Sequence, residues 1–399
     1  MTIAKPVAVL QVCCVNYGPH PKIPLDQPHY DSAQSIVQGI FLKSSNRRKK
    51  MASPPVTLEH VAKAAGVSPS TASRALAGKA RQFRISEKTE KEVLKVASGL
   101  GFQASHVARS LRTQRSSLIG LLVPDASNPF FAAIARNATI YAERHGLSTL
   151  LADSHDSIEH ERDLLTHLQS RQVEGLIICP IGDANEHLRQ LEQSGANVVV
   201  VDRWFSDVRL TTVTSENESG AYAATMEMIN LGHRKIGCLQ GRPGTSCNAE
   251  RTAGYFKALQ ANGIESDPSL VLGDDFNEES GYRSTCQLLD AHPDITAVFA
   301  FSNQNMLGAL RAFGERGLSI PQDISVITFD DAPFAEYLAS PLSVVRQDVD
   351  AIGAKAAELL IEQIKTGRQP RKLIHRVPVE LRSRRSVGPP KQTGQDLKL

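Results

Sequence analysis

The sequence predicts an all-α helix-turn-helix head followed by an α/β body of two lobes, with a parallel sheet in each lobe. Three observations carry this expectation. From Val56 to about Arg112 apolar residues recur with a helical period, punctuated by Gly66, Gly78 and Gly101 and by the cap residues Ser68 and Ser86. From Leu118 onward, short apolar runs alternate with helix-length amphipathic segments. Basic charge is concentrated in the first stretch: residues 47–115 hold fifteen Lys and Arg against four Glu, while the chain beyond them is net acidic.

The bulk numbers agree. A chain of 399 residues exceeds what one hydrophobic core organises, so two or three folding units follow. Its 41% hydrophobic, 22% charged and 5% aromatic content is that of an ordinary globular α/β protein and excludes fibrous and membrane classes. Six cysteines, without a CxxC or Cys/His cluster, read as reduced thiols, mostly in the core, and no metal site is expected. No run approaches the roughly 18 apolar residues of a membrane span. The export-like segment from Lys5 to Val15 is short, broken by Gln11 and followed by no cleavage site, so a cytoplasmic location is expected. Residues 1–50, with Pro6, Pro19, Pro21, Pro24, Pro28 and the run Arg47 to Lys50, show no sustained period and are expected to be disordered, with Met51 an alternative start.

In the head, residues 56–103, Thr57 caps a first helix whose apolar face is Leu58, Val61, Ala62 and Ala65. Gly66 supplies the positive φ of a tight turn and Val67 points inward. Ser68 then caps a second helix with Pro69 at its first position, where a missing N–H costs nothing. On that helix Ala72, Ala75 and Leu76 pack inward, leaving Ser70, Thr71, Ser73 and Arg74 outside. Hydroxyls suit phosphates, and an arginine suits a guanine edge. A third helix, Glu87 to Ser98, is expected to brace the pair through Val93, Leu94 and Ala97.

In the body the expected strands are Leu118–Val123, Thr149–Ala152, Gly175–Cys179, Val198–Val201, Lys235–Leu239, Ala297–Phe301 and Ser325–Phe329. Strand–helix alternation builds right-handed parallel units, and their number suits two modest sheets better than one large one. The expected bounds are 116–215 with 348–370 for lobe one and 216–347 with 371–385 for lobe two, leaving 386–399 as a flexible tail. A ligand site belongs in the cleft between lobes.

The segment Val67-Ser68-Pro69-Ser70-Thr71-Ala72-Ser73-Arg74 resembles the Val-Ser-x-x-Thr-Val-Ser-Arg motif of the lactose/galactose-repressor (LacI/GalR-type) family, departing by Ala72. The resemblance extends from Val56 to about Arg385. It implies a cytoplasmic, sequence-specific transcription regulator, a repressor of a carbohydrate or related catabolic operon, that binds a palindromic double-stranded operator as a homodimer and answers to a sugar-like effector. By that resemblance Pro69, Ser70 and Arg74 read bases, Thr71 and Ser73 hold phosphates, and Thr57 and Ser68 lie at the same DNA face. Residues 104–115 resemble the family's hinge helix, with Ser105, Ala108 and Leu111 at DNA-facing positions. Leu111 would wedge the minor groove. Ala104-Ser105 stands where family members have Pro-Asn. A chain starting at Met51 should keep both binding functions.

The effector candidates sit at strand ends, where ligands bind open α/β sheets: Asn128, Phe130 and Phe131 after the first strand, Asp202 and Arg203 after Val198–Val201, and Asp330 after Val326–Phe329. Arg251, Phe276 and Gln347 join them, with Ser302 and Asn303 replacing the family's usual Asn-Asp pair. Carboxylates and guanidinium groups around an aromatic plate fit a polyol. Two arginines, and the loss of the usual aspartate at Asn303, favour a sugar acid or sugar phosphate over a neutral hexose. No G-x-G-x-x-G opens a helix after a strand, Gly241-Arg-Pro-Gly lacks phosphate-loop spacing, and no catalytic triad stands out, so no cofactor and no enzyme activity are expected. A sugar receptor without a DNA role would share the lobes but need an export signal and no basic head.

Overall fold

The computed structural model describes residues 56–102, 115–182 and 184–391, which form two compact units, head and body. The extension 1–50 and the hinge positions Ser105, Ala108 and Leu111 lie outside the described residues.

The head comprises α1 (Leu58–Ala64), α2 (Pro69–Leu76) and α3 (Glu87–Gly99). At the start of α1, Thr57 Oγ1 accepts from the His60 N–H while His60 Nδ1 accepts from the Thr57 N–H, so each orphan backbone donor is satisfied by the other residue's side chain. Gly66, at φ +65°, makes the turn, and Ser68 Oγ accepts from the Thr71 N–H at 3.1 Å. Val61, Ala62, Ala72, Ala75, Val93 and Ala97 close the core. Leu94 departs from expectation: it is 47% exposed, and Val96 packs inward instead. With Val93 fixed inside, the i+3 and i+4 positions share its face and the i+1 position does not.

Lobe one contains β1 (Leu118–Val123), α4 (Pro129–Arg144), β2 (Ser148–Asp153), α5 (Ile158–Ser170), β3 (Gly175–Ile178), α6 (Glu186–Ser194), β4 (Val198–Val201) and β5 (Thr211–Ser215). Lobe two contains α7 (Asn217–Asn230), β6 (Ile236–Leu239), α8 (Ser246–Ala261), β7 (Val271–Leu272), α9 (Glu278–Ala291), β8 (Ala297–Ala300), α10 (Asn303–Glu315), β9 (Ser325–Phe329) and β10 (Ser343–Gln347). The chain then returns to lobe one through α11 (Val349–Thr366) and β11 (Ile374–Val377) and ends in lobe two with β12 (Val379–Arg382).

The sheets run β11-β5-β4-β3-β1-β2 and β12-β10-β9-β8-β6-β7. Every pairing is parallel except β10 with β12. Apolar clusters cover both faces of each sheet, which is why central strands such as Val198–Val201 read as unbroken apolar runs.

Two domain bounds shift. The segment expected to open lobe two at residue 371 first adds β11 to the edge of β5, pairing Ile374 with Thr212, and the crossing falls at Pro378. The expected flexible tail is anchored at its start: Ser386 is fully buried, its Oγ donates to the Val326 carbonyl and accepts from the Ser343 N–H, and His233 Nε2 meets the Gly388 carbonyl at 2.8 Å.

Candidate functional site: the interlobe cleft and the face of the second helix

A cavity of about 180 Å³ lies between the lobes, at the carboxyl ends of their strands. Ten of the eleven sequence candidates line it: Asn128, Phe130, Phe131, Asp202, Arg203, Arg251, Phe276, Ser302, Asp330 and Gln347. Asn303 does not. As the first residue of α10 it is buried beside the rim, while Gln304 reaches the cavity.

Each lining group is placed by local chemistry. Asn128 caps α4 by accepting from the Phe130 N–H at 3.1 Å, and this turn sends both phenylalanines into the core of lobe one with the cavity at their edge. Packing and lining are therefore one role here. Phe276 is seated by Gly241, whose hypothetical Cβ would fall 2.1 Å from the ring, so the Gly241-Arg-Pro-Gly loop serves to admit an aromatic face. Ser302 caps α10 through the Asn305 N–H.

The acids and bases are buried. Asp202 and Asp330 each follow a strand with left-handed backbone, at φ +67° and +70°, a conformation costly for a non-glycine residue and concentrated at functional sites. Burial drives the Asp330 carboxyl up to about 6, against the opposing pull of Arg251 and of the Gln347 amide that donates to it at 2.6 Å. Asp202 is raised for the same first reason, with Arg251 and Arg203 lowering it.

The arginines are braced from behind. Arg203 Nη1 donates to the Ile181 carbonyl, and its guanidinium stands 5.2 Å from the Phe276 ring centre. Arg251 Nε donates to Asn217 Oδ1 at 2.9 Å, Nη1 to the Phe301 carbonyl, and the group lies 4.0 Å over Phe329. Asp202 Oδ1, Arg203 Nε and Gln347 Oε1 are buried without a hydrogen-bond partner among the described residues.

Sequence reasoning missed Asp125, Ser127, Asp156, Cys247, Asp275, Asn277 and Gln304 in this lining. Three of these are carboxylates. With Asp202 and Asp330, five carboxyl groups line the cavity beside Arg203 and Arg251. Asp156 and Asp275 sit in loops three residues beyond β2 and β7, whereas Asp202 and Asp330 directly follow the strands that present them. No group of three or more metal-ligating side chains occurs among the described residues.

On the head, Ser68, Pro69, Ser70 and Arg74 are exposed along α2, with Thr71 and Ser73 half-buried and Thr57 exposed at the start of α1. Ser68 Oγ lies 2.9 Å from Ser70 Oγ and 2.8 Å from Thr71 Oγ1, a rotatable hydroxyl cluster at a helix N-terminus, where phosphates are favoured.

A basic helix-turn-helix head and a two-lobed body with a polar cleft together define a ligand-responsive transcription regulator. Residues 57–105 match the family described as bacterial regulatory proteins, lacI family, and residues 225–387 match a periplasmic binding protein-like domain. The repressor PurR of Photobacterium profundum is 33% identical over 334 residues, covering 83% of this chain and 98% of that one, and the ribose operon repressor of Haemophilus influenzae is 32% identical, covering 77% and 92%. Among solved structures, the lac repressor dimer bound to operator and the anti-inducer ONPF is similar with a TM-score of 0.75 at 26% identity, covering 84% of this chain and 99% of that one. The complex of the regulator CelR with cellobiose is similar at 0.64 and 29%, covering 83% and 100%. The chain belongs to the lacI family of bacterial regulatory proteins.

Proposed function

We propose that this repressor acts as a cytoplasmic homodimer on a palindromic operator, without catalysis, and is controlled by a small neutral polyhydroxylated effector held in the interlobe cleft. The observation that carries the reading is that three residues lining one cavity hold buried polar atoms with no hydrogen-bond partner among the described residues: Asp202 Oδ1, Arg203 Nε and Gln347 Oε1. An unmade bond at such an atom costs about 1–3 kcal/mol, which a ligand with several hydroxyls recovers. Phe130 and Phe276 supply faces for a sugar ring, and the surplus of carboxylates accepts from hydroxyls while opposing phosphates. Relatives whose names carry ribose and cellobiose are consistent with a sugar.

On the head, Arg74 and Ser70 are placed to read bases beside Pro69, which offers only apolar contact, while Thr71 and Ser73 meet phosphates. Two-fold symmetry of the protein then calls for a two-fold operator. The test is a thermal-shift screen of neutral sugars against their phosphates, followed by gel shift on palindromes from the protein's own promoter region with and without each hit. Stabilisation by sugar phosphates alone would refute the neutral-ligand reading, and no specific shift on any palindrome would refute the operator reading.

A further inference from the structure

The turn between α2 and α3 contains a large aromatic residue that the head's core does not use. Phe83 is 43% exposed and belongs to neither the buried cluster nor the residues packed against it. Its ring instead lies under Arg74, whose guanidinium carbon stands 4.2 Å from the ring centre. Arg74 makes no ion pair among the described residues, so this ring is the surface that orients it.

The backbone fixes the arrangement. The Lys79 N–H donates to the Arg74 carbonyl at 3.0 Å, tying the turn to the end of α2. Ala80, 1% exposed, pins it to the head, and the Ile85 N–H closes it onto the Ala80 carbonyl at 2.9 Å. Between these anchors a 3-10 turn, Arg81–Phe83, carries the ring outward, and Arg84 turns back in a left-handed conformation at φ +54°. Lys79, Arg81 and Arg84 in the same turn are exposed, Arg81 within 4.0 Å of Glu87, so the turn is basic as well as anchored.

We infer that Phe83 is a positioning residue for DNA reading, holding the Arg74 guanidinium against its ring so that the planar fork is ordered before it meets a base edge. A guanidinium on a free four-bond stem loses rotamer entropy on binding, whereas one already stacked loses less. A cation–π contact at an exposed site is worth about a two- to fivefold effect on an equilibrium. The effect should be confined to the one operator position that Arg74 reads, because the Phe83 ring holds the Arg74 guanidinium and contacts none of the other candidate base-reading side chains. This inference rests on the proposed base-reading role of Arg74.

The experiment separates the two. Full-length wild type and the variants F83L, F83Y, F83W and R74A are each used to select from a random-sequence duplex DNA pool, and base preference is tabulated at every half-site position. R74A should erase preference, by tenfold or more, at one position per half-site. F83L, which keeps apolar bulk but removes the ring, should weaken preference at that same position two- to fivefold and leave the others unchanged, while F83Y and F83W restore it. An R74A profile identical to wild type overturns the base-reading role itself. If R74A acts and F83L does not, the positioning role is overturned. F83L lowering every position equally shows a merely structural turn, and F83L changing a different position shows a direct contact by Phe83; both overturn the inference. Melting temperatures of the variants, expected unchanged for a side chain outside the core, establish that folded heads are compared.

Discussion

Replacing Asp330 by Asn should separate stability from response. The carboxyl is buried, and folding moves it from 3.8 to about 6, a shift that corresponds to about 3 kcal/mol held against its ionised form. The sign follows from linkage: a carboxyl raised in the folded state binds its proton more tightly there, so its favourable contribution is full below pH 3.8 and is lost as pH rises through about 6. Asparagine has no charge to bury, and its Oδ1 can still accept from the Gln347 amide that now donates at 2.6 Å. The variant should therefore gain on wild type as pH rises, with about half of the 3 kcal/mol developing between pH 5 and 8. Urea unfolding of both proteins at those two pH values measures the difference. The same variant should bind operator normally and fail to respond to the neutral sugar, because an NH2 donor replaces the second carboxylate oxygen, the acceptor left free by Gln347. A stability difference that is flat with pH, or an unchanged response, would refute the assignment of Asp330 as a buried, ligand-accepting carboxylate.

Arg251→Ala should abolish the effector response while sparing operator affinity, since it removes a cleft cation braced by Asn217 and Phe301; titration of the sugar against operator complex checks it. Gly241→Ala should lower effector affinity at least tenfold, because the new Cβ would collide with the Phe276 ring, and isothermal titration on the body reads that loss. The bidentate pair between Arg376 of β11 and Glu250 of α8, at 2.7 and 3.0 Å, crosses between the lobes; R376Q and E250Q in a double-mutant cycle should show coupling of about 1 kcal/mol in effector binding, modest because the arginine is partly exposed. Arg74→Ala should cost about 1–3 kcal/mol on operator and much less on random DNA, read by gel shift.

What the sequence made legible follows from which forces are local. Strands buried on both faces write themselves as apolar runs, so β1, β4, β8 and β9 could be read directly. β5 could not, because Thr211–Ser215 is polar in composition; two of its buried hydroxyls donate to carbonyls, Thr214 Oγ1 to Asp202 and Thr212 Oγ1 to Leu210, and Thr211 Oγ1 accepts from the Gln363 amide. The caps Thr57 and Ser68 were legible because capping is decided within four residues. Leu94 was misplaced by one step of helical rotation, a margin that periodicity alone does not resolve. In the cleft, Asp202 and Asp330 could be found from the strands they follow, whereas Asp156 and Asp275 reach it from loops whose path depends on contacts distant in sequence, such as the Arg242 fork on Asp275. Together with Asp125 they take the lining from two aspartates beside two arginines to five beside two.

The two strand-end aspartates show how one cleft can govern lobe closure. Asp202 follows β4 and its N–H bonds to the Val213 carbonyl of β5; Asp330 follows β9 and its N–H bonds to the Val345 carbonyl of β10. They are equivalent points of two similar sheets, with nearly equal left-handed φ, both lining the cleft and both under the electrostatic pull of Arg251. Each raises its pKa through burial, so closing the lobes without a ligand places two desolvated carboxylates around one guanidinium. A ligand whose hydroxyls donate to both offsets that cost only in the closed arrangement, and a ligand shifts an equilibrium by its differential affinity for the two states. The equivalence then breaks one residue later. Arg203 turns into the cleft, while Asp331 turns outward to Arg382 and Arg384, which carry the strand following the last crossing. Lobe one thus turns a charged group into the cleft where lobe two ties its own frame, and Arg251 is anchored to Asn217 beside the first crossing and to Phe301 at the end of β8.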